Sequence, residues 1–210
     1  MGLSVLIFGS QGYDKAINER LTQIRYNPVS FNDVKGFDLA LFTGGEDVSP
    51  WYYKADMHPK TQNNPMRDAY EANAYSKLKK LGIPCVGICR GGQFLNVMNG
   101  GQMFQHVNGH AGSNHEVVTV DGEVFEVTST HHQMMVPAKH GSLYAWSHEN
   151  LSDVYEGLNL EAYEHGGKVV EPEAILYTDT NDLCVQWHPE YMSTKSRGYE
   201  YFNELLELIV

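Results

Sequence analysis

Short apolar runs alternate with longer mixed segments through the first half of the chain. Three of these runs have the length and composition of buried strands, at 3–8 (LSVLIF), 37–42 (FDLALF) and 83–88 (IPCVGI). Each run leads into a loop that contains glycine. Because the carboxyl ends of strands form the ligand crevice of open α/β sheets, a functional site is expected at these loops.

Mixed polar and apolar residues predict helices in four other segments, at about 14–26, 66–81, 93–99 and 193–209. Gly82 supplies a stop signal for the second of them. Strands that alternate with helices indicate βαβ units and a parallel sheet.

The second half of the chain predicts antiparallel strand pairs. Two alternating runs within 117–127 flank an Asp-Gly pair, which is a strong hairpin signal. The runs at 174–178 and 183–187 suggest another hairpin. The predicted fold is therefore α/β, with a mixed, mostly parallel sheet, flanking helices and an antiparallel annex. No repeat or linker is evident, so a single domain over residues 1–210 is expected.

The charge balance restricts the kinds of partner. The chain has 26 acidic and 15 basic residues, which gives a formal net charge of −11. Nucleic acids and anionic membrane surfaces attract clustered basic charge, so neither is an expected partner.

The cysteines and the N-terminal segment indicate a cellular location. Three cysteines are too few, and odd in number, for a disulfide framework. The first apolar run has no basic segment before it and is too short for a signal peptide or a membrane span. A cytoplasmic protein with free thiols is expected, in which Cys85 and Cys184 are core residues within strands.

Cys89 lies in the sequence Gly-Ile-Cys-Arg-Gly, between a predicted strand and a predicted helix. This is the thiol form of the nucleophile elbow, in which a tight turn exposes the reactive side chain. Glycines at positions 87 and 91 remove Cβ atoms that would clash in such a turn. The N-terminus of the following helix favours the thiolate form.

His188 and Glu190 are the candidate base and its orienting carboxylate. Pro189 biases His188 away from helical geometry, so an extended or turned segment is expected here. In an extended segment, residues 188 and 190 project to the same side. The carboxylate could then orient the imidazole while the other ring nitrogen faces a nucleophile.

Backbone amides for a developing oxyanion are expected at two places. Gly44 and Gly45 form a turn at the end of a predicted strand, where amides are free to point at an anion. The amide of Arg90 is the second candidate, because the residue after the nucleophile commonly serves this role at an elbow.

Four ordered segments carry a specific resemblance: TGGEDVSP (43–50), GICRGGQFLNV (87–97), STHHQ (129–133) and QWHPE (186–190). Together they resemble the class I glutamine amidotransferase-like family, and most closely its γ-glutamyl-γ-aminobutyrate hydrolase (peptidase C26) branch. The resemblance implies a flavodoxin-like sheet and a Cys-His-Glu triad of Cys89, His188 and Glu190.

The resemblance also implies substrate contacts. Gln93 corresponds to the glutamine that contacts the γ-glutamyl group. Thr130, His131 and His132 correspond to the segment whose backbone holds the amino-acid end of the substrate. The implied substrate is a γ-glutamyl amide or glutamine, and no cofactor is implied.

Three functions remain open at this point. The first is a thiol hydrolase of γ-glutamyl amides that acts alone. The second is a glutaminase subunit that passes ammonia to a synthase; since little sequence follows Glu190, that synthase would be a separate partner chain. The third is a catalytically idle binding module, which the intact triad residues disfavour.

His106, His110 and His115 have spacings that loosely resemble those of metal ligands. Apart from Glu116, no carboxylate or cysteine lies near them at ligand spacing. No metal site is therefore expected.

Overall fold

The computed structural model describes residues 2–28, 34–112, 114–158, 164–165 and 168–210. The strands of this part of the chain are β1 Leu3–Phe8, β2 Leu21–Tyr26, β3 Leu39–Phe42, β4 Cys85–Ile88, β5 Gln102–Phe104, β6 His106–Val107, β7 His115–Thr119, β8 Val124–Val127, β9 Met134–Val136, β10 Ser142–Ser147, β11 Tyr155–Glu156, β12 Glu164–His165, β13 Lys168–Val169, β14 Pro172–Tyr177 and β15 Asp182–Val185. The α-helices are α1 Pro65–Lys80, α2 Arg90–Met98 and α3 Arg197–Leu206. Short 3-10 helices lie at Tyr13–Arg20, Pro50–Tyr53 and Pro189–Tyr191.

A nine-stranded sheet in the order β2-β1-β3-β4-β15-β14-β10-β7-β8 forms the centre of the fold. The first five strands in this order pair in parallel, and the remaining pairings are antiparallel. The predicted mixed, mostly parallel α/β fold with an antiparallel annex is confirmed. The loops after β1, β3, β4 and β15 consequently meet at one edge of the sheet.

The central strands are buried on both faces, which explains why they read as continuous apolar runs. In β3, Leu39 and Leu41 pack into one core cluster, whereas Ala40 and Phe42 pack into the other. Successive side chains of a strand point to opposite faces, so each strand supplies both layers. Helix α3 covers the first cluster and helices α1 and α2 contribute to the second.

Most of the predicted elements are present. Helix α1 begins after Asn64, whose side chain accepts a hydrogen bond from the amide of Arg67, and it has proline at its first position. The hairpin of β7 and β8 and the antiparallel pair of β14 and β15 also form as predicted. Gly122 in the first hairpin has a φ of +83°, which suits the Asp-Gly turn.

The prediction of a helix over 14–26 is wrong for residues 21–26. Residues 13–20 form a 3-10 helix, and 21–26 form β2, which pairs in parallel with β1. Strand β2 lies at the sheet edge, and none of its side chains is fully buried. An edge strand of this kind lacks the apolar pattern that distinguishes a strand from a polar helix.

No helix in the described ranges has the length and apolar character needed to cross a membrane.

Candidate active site

The turn at Cys89 is the sharpest backbone feature of the site. Cys89 joins β4 to α2 with φ 52° and ψ −114°, a conformation that a residue with a side chain adopts only under strain. Its amide donates to the carbonyl of Val185 over 2.7 Å, and its carbonyl accepts from the amide of Gln93 over 3.0 Å. The neighbouring strand and the helix therefore hold the turn from both sides.

The glycines around Cys89 are required by close packing of the backbone. A Cβ on Gly87 would lie 2.2 Å from the carbonyl carbon of Gly91, and a Cβ on Gly91 would lie 2.0 Å from the carbonyl oxygen of Phe42. The sequence correctly indicated that these positions have no room for Cβ atoms. Cys89 itself takes the positive φ.

His188 and Glu190 meet directly. Nδ1 of His188 lies 2.6 Å from Oε1 of Glu190, and the Glu190 side chain is 1% exposed. Pro189–Tyr191 forms a 3-10 turn, which is one of the two conformations expected here, and His188 itself is non-helical. The turn brings the carboxylate back to the imidazole.

The imidazole of His188 is strongly basic in this setting. Burial lowers its pKa, but the neighbouring Cys89 and Glu190 outweigh burial and raise the pKa to about 10. With Nδ1 held by Glu190, Nε2 is the nitrogen available to the thiol. The ring is therefore protonated at neutral pH and can stabilise a thiolate.

Two tyrosines that the sequence did not single out enclose this pair. The ring of Tyr191 stacks on His188 at a centroid distance of 5.0 Å, and the ring of Tyr13 lies at 6.1 Å. Burial, followed by the charges of Glu190 and Cys89, raises the pKa of Tyr13, while a hydrogen bond with the backbone of Gly44 opposes this shift. Tyr13 follows a glycine loop after β1, but nothing in its local sequence indicates this contact.

A cavity of about 260 Å³ opens beside Cys89. Its lining includes many of the predicted site residues: Gly45, Cys89, Arg90, Gln93, Thr130, His131 and His132. Gly44 is placed differently, since a Cβ there would lie 2.4 Å from the Tyr13 hydroxyl and 3.2 Å from Cε1 of His188. Of the three candidate amide positions, Gly45 and Arg90 belong to residues that line the cavity.

The cavity wall also contains polar residues to which the sequence analysis gave no role in the site, including Glu46, Asp47 and Gln62. Asp47 lies 3.2 Å from Nε2 of His132, and this hydrogen bond raises the pKa of His132 although partial burial opposes it. Nε2 of the Gln93 side chain donates to the carbonyl of Gln133 over 3.2 Å. Gln93 thus links the elbow helix to the 129–133 segment.

The side chain of Arg90 has a role that its backbone position did not suggest. Its guanidinium is fully buried and pairs with Asp68 and Glu71 of α1. Glu71 also binds Nε of Arg67 over 2.8 Å, and Arg67 donates to the carbonyl of Gly44 over 3.1 Å. The ion network therefore connects the start of α2 with the glycine turn after β3.

Residues that could hold a metal ion lie in another part of the molecule. Ligand atoms of His110, His115 and Glu173 lie within 4.8 Å of one another, and all three residues are buried. Glu116, the carboxylate nearest in sequence, is exposed and faces His148 instead. The sequence analysis considered only carboxylates close to these histidines in the chain. Glu173, which β14 brings to them, lies far away in the sequence.

Comparison with known proteins gives a consistent family assignment. Residues 29–190 match the model of the Peptidase C26 family. A Mycobacterium tuberculosis protein named "Putative glutamine amidotransferase Rv2859c" is 33% identical over 157 residues, which cover 71% of this chain and 49% of that protein. The carbamoyl phosphate synthase small chain of Helicobacter pylori is 27% identical over 146 residues, which cover 70% of this chain and 35% of the relative.

A glutamine amidotransferase structure from Thermotoga maritima shares the fold, with a TM-score of 0.64 at 16% identity over 99% of this chain and 85% of the other. The chain spans about half of the length of the mycobacterial relative and about a third of the Helicobacter one.

Proposed function

Because the chain belongs to the Peptidase C26 family and has the class I glutamine amidotransferase fold, we propose that it hydrolyses γ-glutamyl amides through a thioester on Cys89. One observation carries the proposal: a thiol on a strained elbow lies beside a buried His188–Glu190 pair, at a small polar cavity. This is the arrangement that thiol acyl transfer requires.

The first half of the reaction forms the acyl-enzyme. The Cys89 thiolate attacks the γ-carbonyl carbon, and the amides of Gly45 and Arg90 donate to the developing oxyanion. As the tetrahedral intermediate collapses, the C–N bond breaks and Nε2 of His188 gives its proton to the leaving amine. Glu190 keeps the ring oriented through Nδ1.

The second half regenerates the enzyme. Neutral His188 takes a proton from water, and the hydroxide that forms attacks the thioester carbonyl. The C–S bond breaks, glutamate leaves with its γ-carboxyl group restored, and the thiolate–imidazolium pair returns. Gln93 and the backbone of Thr130, His131 and His132 would hold the glutamyl portion, since all of them line the cavity.

A glutaminase subunit is the second candidate. The similarity to carbamoyl phosphate synthase small chains favours it, because those proteins are named as one chain of a synthase. In that case the substrate would be glutamine, the leaving group would be ammonia, and a synthase partner would receive it. The steps at Cys89 would be the same.

The test is a panel of γ-glutamyl amines and glutamine, with the purified chain alone and mass-spectrometric detection of the acyl-enzyme. We expect amine release from at least one γ-glutamyl amine and a covalent adduct on Cys89. Cys89→Ala should lower kcat about 10³-fold or more, whereas Cys184→Ala, a matched change at a buried thiol of β15, should retain activity.

Each alternative predicts a different result. A chain that is inert on every γ-glutamyl amine but releases ammonia from glutamine when a synthase is added would be the glutaminase. A chain that reacts with no substrate, and whose Cys89 is not alkylated by an electrophilic glutamine analogue, would be a binding module.

A further inference from the structure

Three histidines and a glutamate meet inside the molecule, outside the proposed triad. His110 follows β6, His115 begins β7, His131 belongs to the 129–133 segment, and Glu173 lies in β14. Measured from Oε1 of Glu173, Nε2 of His115 is 3.1 Å away, and Nδ1 of His110 and Nε2 of His131 are each 3.6 Å away. All four residues are at least nine-tenths buried.

These contacts have ion-pair distances but lack hydrogen-bond alignment. Among the described residues, neither oxygen of Glu173 has a hydrogen-bond partner, and the same holds for Nδ1 of His110 and Nε2 of His115 and His131. A buried carboxylate without hydrogen bonds is costly, and native structures almost always compensate for one. Donor atoms that converge on one point without hydrogen-bond alignment are the geometry of ligands around a cation.

Two neighbouring acceptors fix the orientation of the imidazoles. Nε2 of His110 lies 3.1 Å from Oε2 of Glu171, and Nδ1 of His131 lies 2.8 Å from the carbonyl oxygen of Gln133. When these nitrogens carry the ring protons, Nδ1 of His110 and Nε2 of His131 present lone pairs toward Glu173. Metal-binding histidines are commonly held in this way by a carboxylate or carbonyl behind the ring.

The cluster carries negative charge that a divalent cation would balance. Glu171 accepts hydrogen bonds from the amides of Leu151 and Ser152 and from the Tyr155 hydroxyl, and it lies behind the His110 ring. The cluster therefore contains two buried carboxylates, Glu171 and Glu173. A buried charge requires a partner, and one divalent cation would balance both.

We propose that His110, His115 and Glu173 bind a Zn²⁺ ion, with His131 as the fourth ligand. Tetrahedral Zn²⁺ with nitrogen and oxygen ligands at about 2.0–2.1 Å places those ligand atoms roughly 3.3 Å apart. The three distances from Oε1 of Glu173 are close to this value, and the ligand atoms of His110, His115 and Glu173 all lie within 4.8 Å of one another. Imidazole nitrogens with one carboxylate form a ligand set that suits zinc. A closed, buried set of four protein ligands indicates a structural site.

The ion would support one wall of the catalytic cavity. Residues 130–133 line that cavity, and His131 in this segment would be anchored through the metal to β7 and β14. The inference does not depend on the substrate, since the ligands and their geometry are independent of the chemistry at Cys89.

The test measures zinc on the folded chain after any affinity tag has been removed. The protein is treated with a chelator, reloaded with ZnCl₂, desalted and analysed by inductively coupled plasma mass spectrometry. We expect one zinc per chain. His115→Gln and Glu173→Gln should each weaken zinc affinity about 100-fold or more, whereas His140→Gln, the same change at an exposed histidine, should leave it unchanged.

Cobalt substitution of the wild-type chain gives a second readout, which does not depend on whether the variants fold. Co²⁺ bound by three nitrogens and one oxygen in a tetrahedron should show strong visible absorption, and added Zn²⁺ should displace it. A reloaded wild-type chain free of zinc, a weak octahedral cobalt spectrum, or full zinc retention in folded His115→Gln would each overturn the proposal. The cluster would then be a network of imidazolium and carboxylate groups.

Discussion

At the scale of single residues, the proposed chemistry depends on how His188 is enclosed. Its ring stacks on Tyr191 and contacts the tilted ring of Tyr13, with Glu190 at Nδ1 and Cys89 nearby. Burial alone would favour the neutral ring, yet the two acidic groups outweigh it and keep the ring protonated. The folded-state pKa of about 10 lies well above the ordinary value of 6.5. Protonation of His188 therefore stabilises the fold fully below pH 6.5, and this contribution is lost as the pH rises through about 10.

Replacing Glu190 tests this electrostatic account. Glu190→Gln removes one of the negative charges and the charged acceptor at Nδ1, so the pKa of His188 should fall toward its ordinary value. The stabilisation lost at high pH should shrink in parallel. The measurement is an NMR titration of the His188 Cε1 proton, with Glu149→Gln at an exposed position as the control. An unchanged pKa in Glu190→Gln would contradict the account.

At the scale of elements, the elbow depends on how closely α2 approaches the sheet. Gly91 lies against the backbone of Phe42 in β3, and Gly92 lies against the backbone of Val185 in β15. The helix can therefore start directly above the parallel strands, which places the first residues of α2 at the cavity. A side chain at either glycine would push the helix, and with it Cys89, away from the sheet.

Gly91→Ala should be strongly destabilising for this reason. The new Cβ would lie 2.0 Å from a backbone oxygen, which cannot rotate away as a side chain can. We expect a loss of about 3 kcal/mol or more in the free energy of unfolding. Gly82→Ala is the matched control, because Gly82 has φ +69° but no atom within 4 Å of the added Cβ. It should cost about 1 kcal/mol. Urea denaturation at unchanged m-value measures both, and equal losses would refute the packing argument.

The same elements show what could be predicted from sequence. Strands β1, β3 and β4 were predictable because each is a buried apolar run, and the elbow because its glycines, cysteine and helix are adjacent in the chain. Strand β2 was not, since its exposed edge position leaves no apolar pattern. Contacts such as Tyr13 with His188, or Glu173 with the histidine cluster, join residues far apart in sequence, and local patterns do not determine them.

At the scale of the whole molecule, a buried ion network joins the layers around the proposed site. Arg90 of α2 pairs with Asp68 and Glu71 of α1. Asp68 also accepts hydrogen bonds from the amide and hydroxyl of Ser49, after the glycine turn. Through Arg67 the network reaches the carbonyl groups of the turn itself. One set of charges thus fixes the relative positions of the proposed nucleophile, the helix that follows it and the candidate oxyanion amides.

Arg90→Met should reveal how strongly this network depends on its one fully buried guanidinium. The substitution keeps much of the volume but leaves buried Asp68 without a cation and Glu71 with Arg67 alone, at a cost of about 3–5 kcal/mol in the free energy of unfolding. Arg197→Met is the control, since Arg197 makes comparable pairs with Glu123 and Glu204 at the surface. Its cost should be about 0–1 kcal/mol.

Neutralising the two carboxylates in the Arg90→Met background should restore much of the loss. In the combined variant with Asp68→Asn and Glu71→Gln, both carboxylates are neutral, and Arg67 keeps Glu46 as a charged partner after losing Glu71. Denaturant unfolding of the wild type, Arg90→Met, Asp68→Asn/Glu71→Gln and the combined variant measures the coupling between these sites. If Arg90→Met were as mild as Arg197→Met, or if neutralisation gave no recovery, the network would not be what holds α1 against α2. The position of the elbow would then depend on the backbone contacts of Gly87, Gly91 and Gly92 alone.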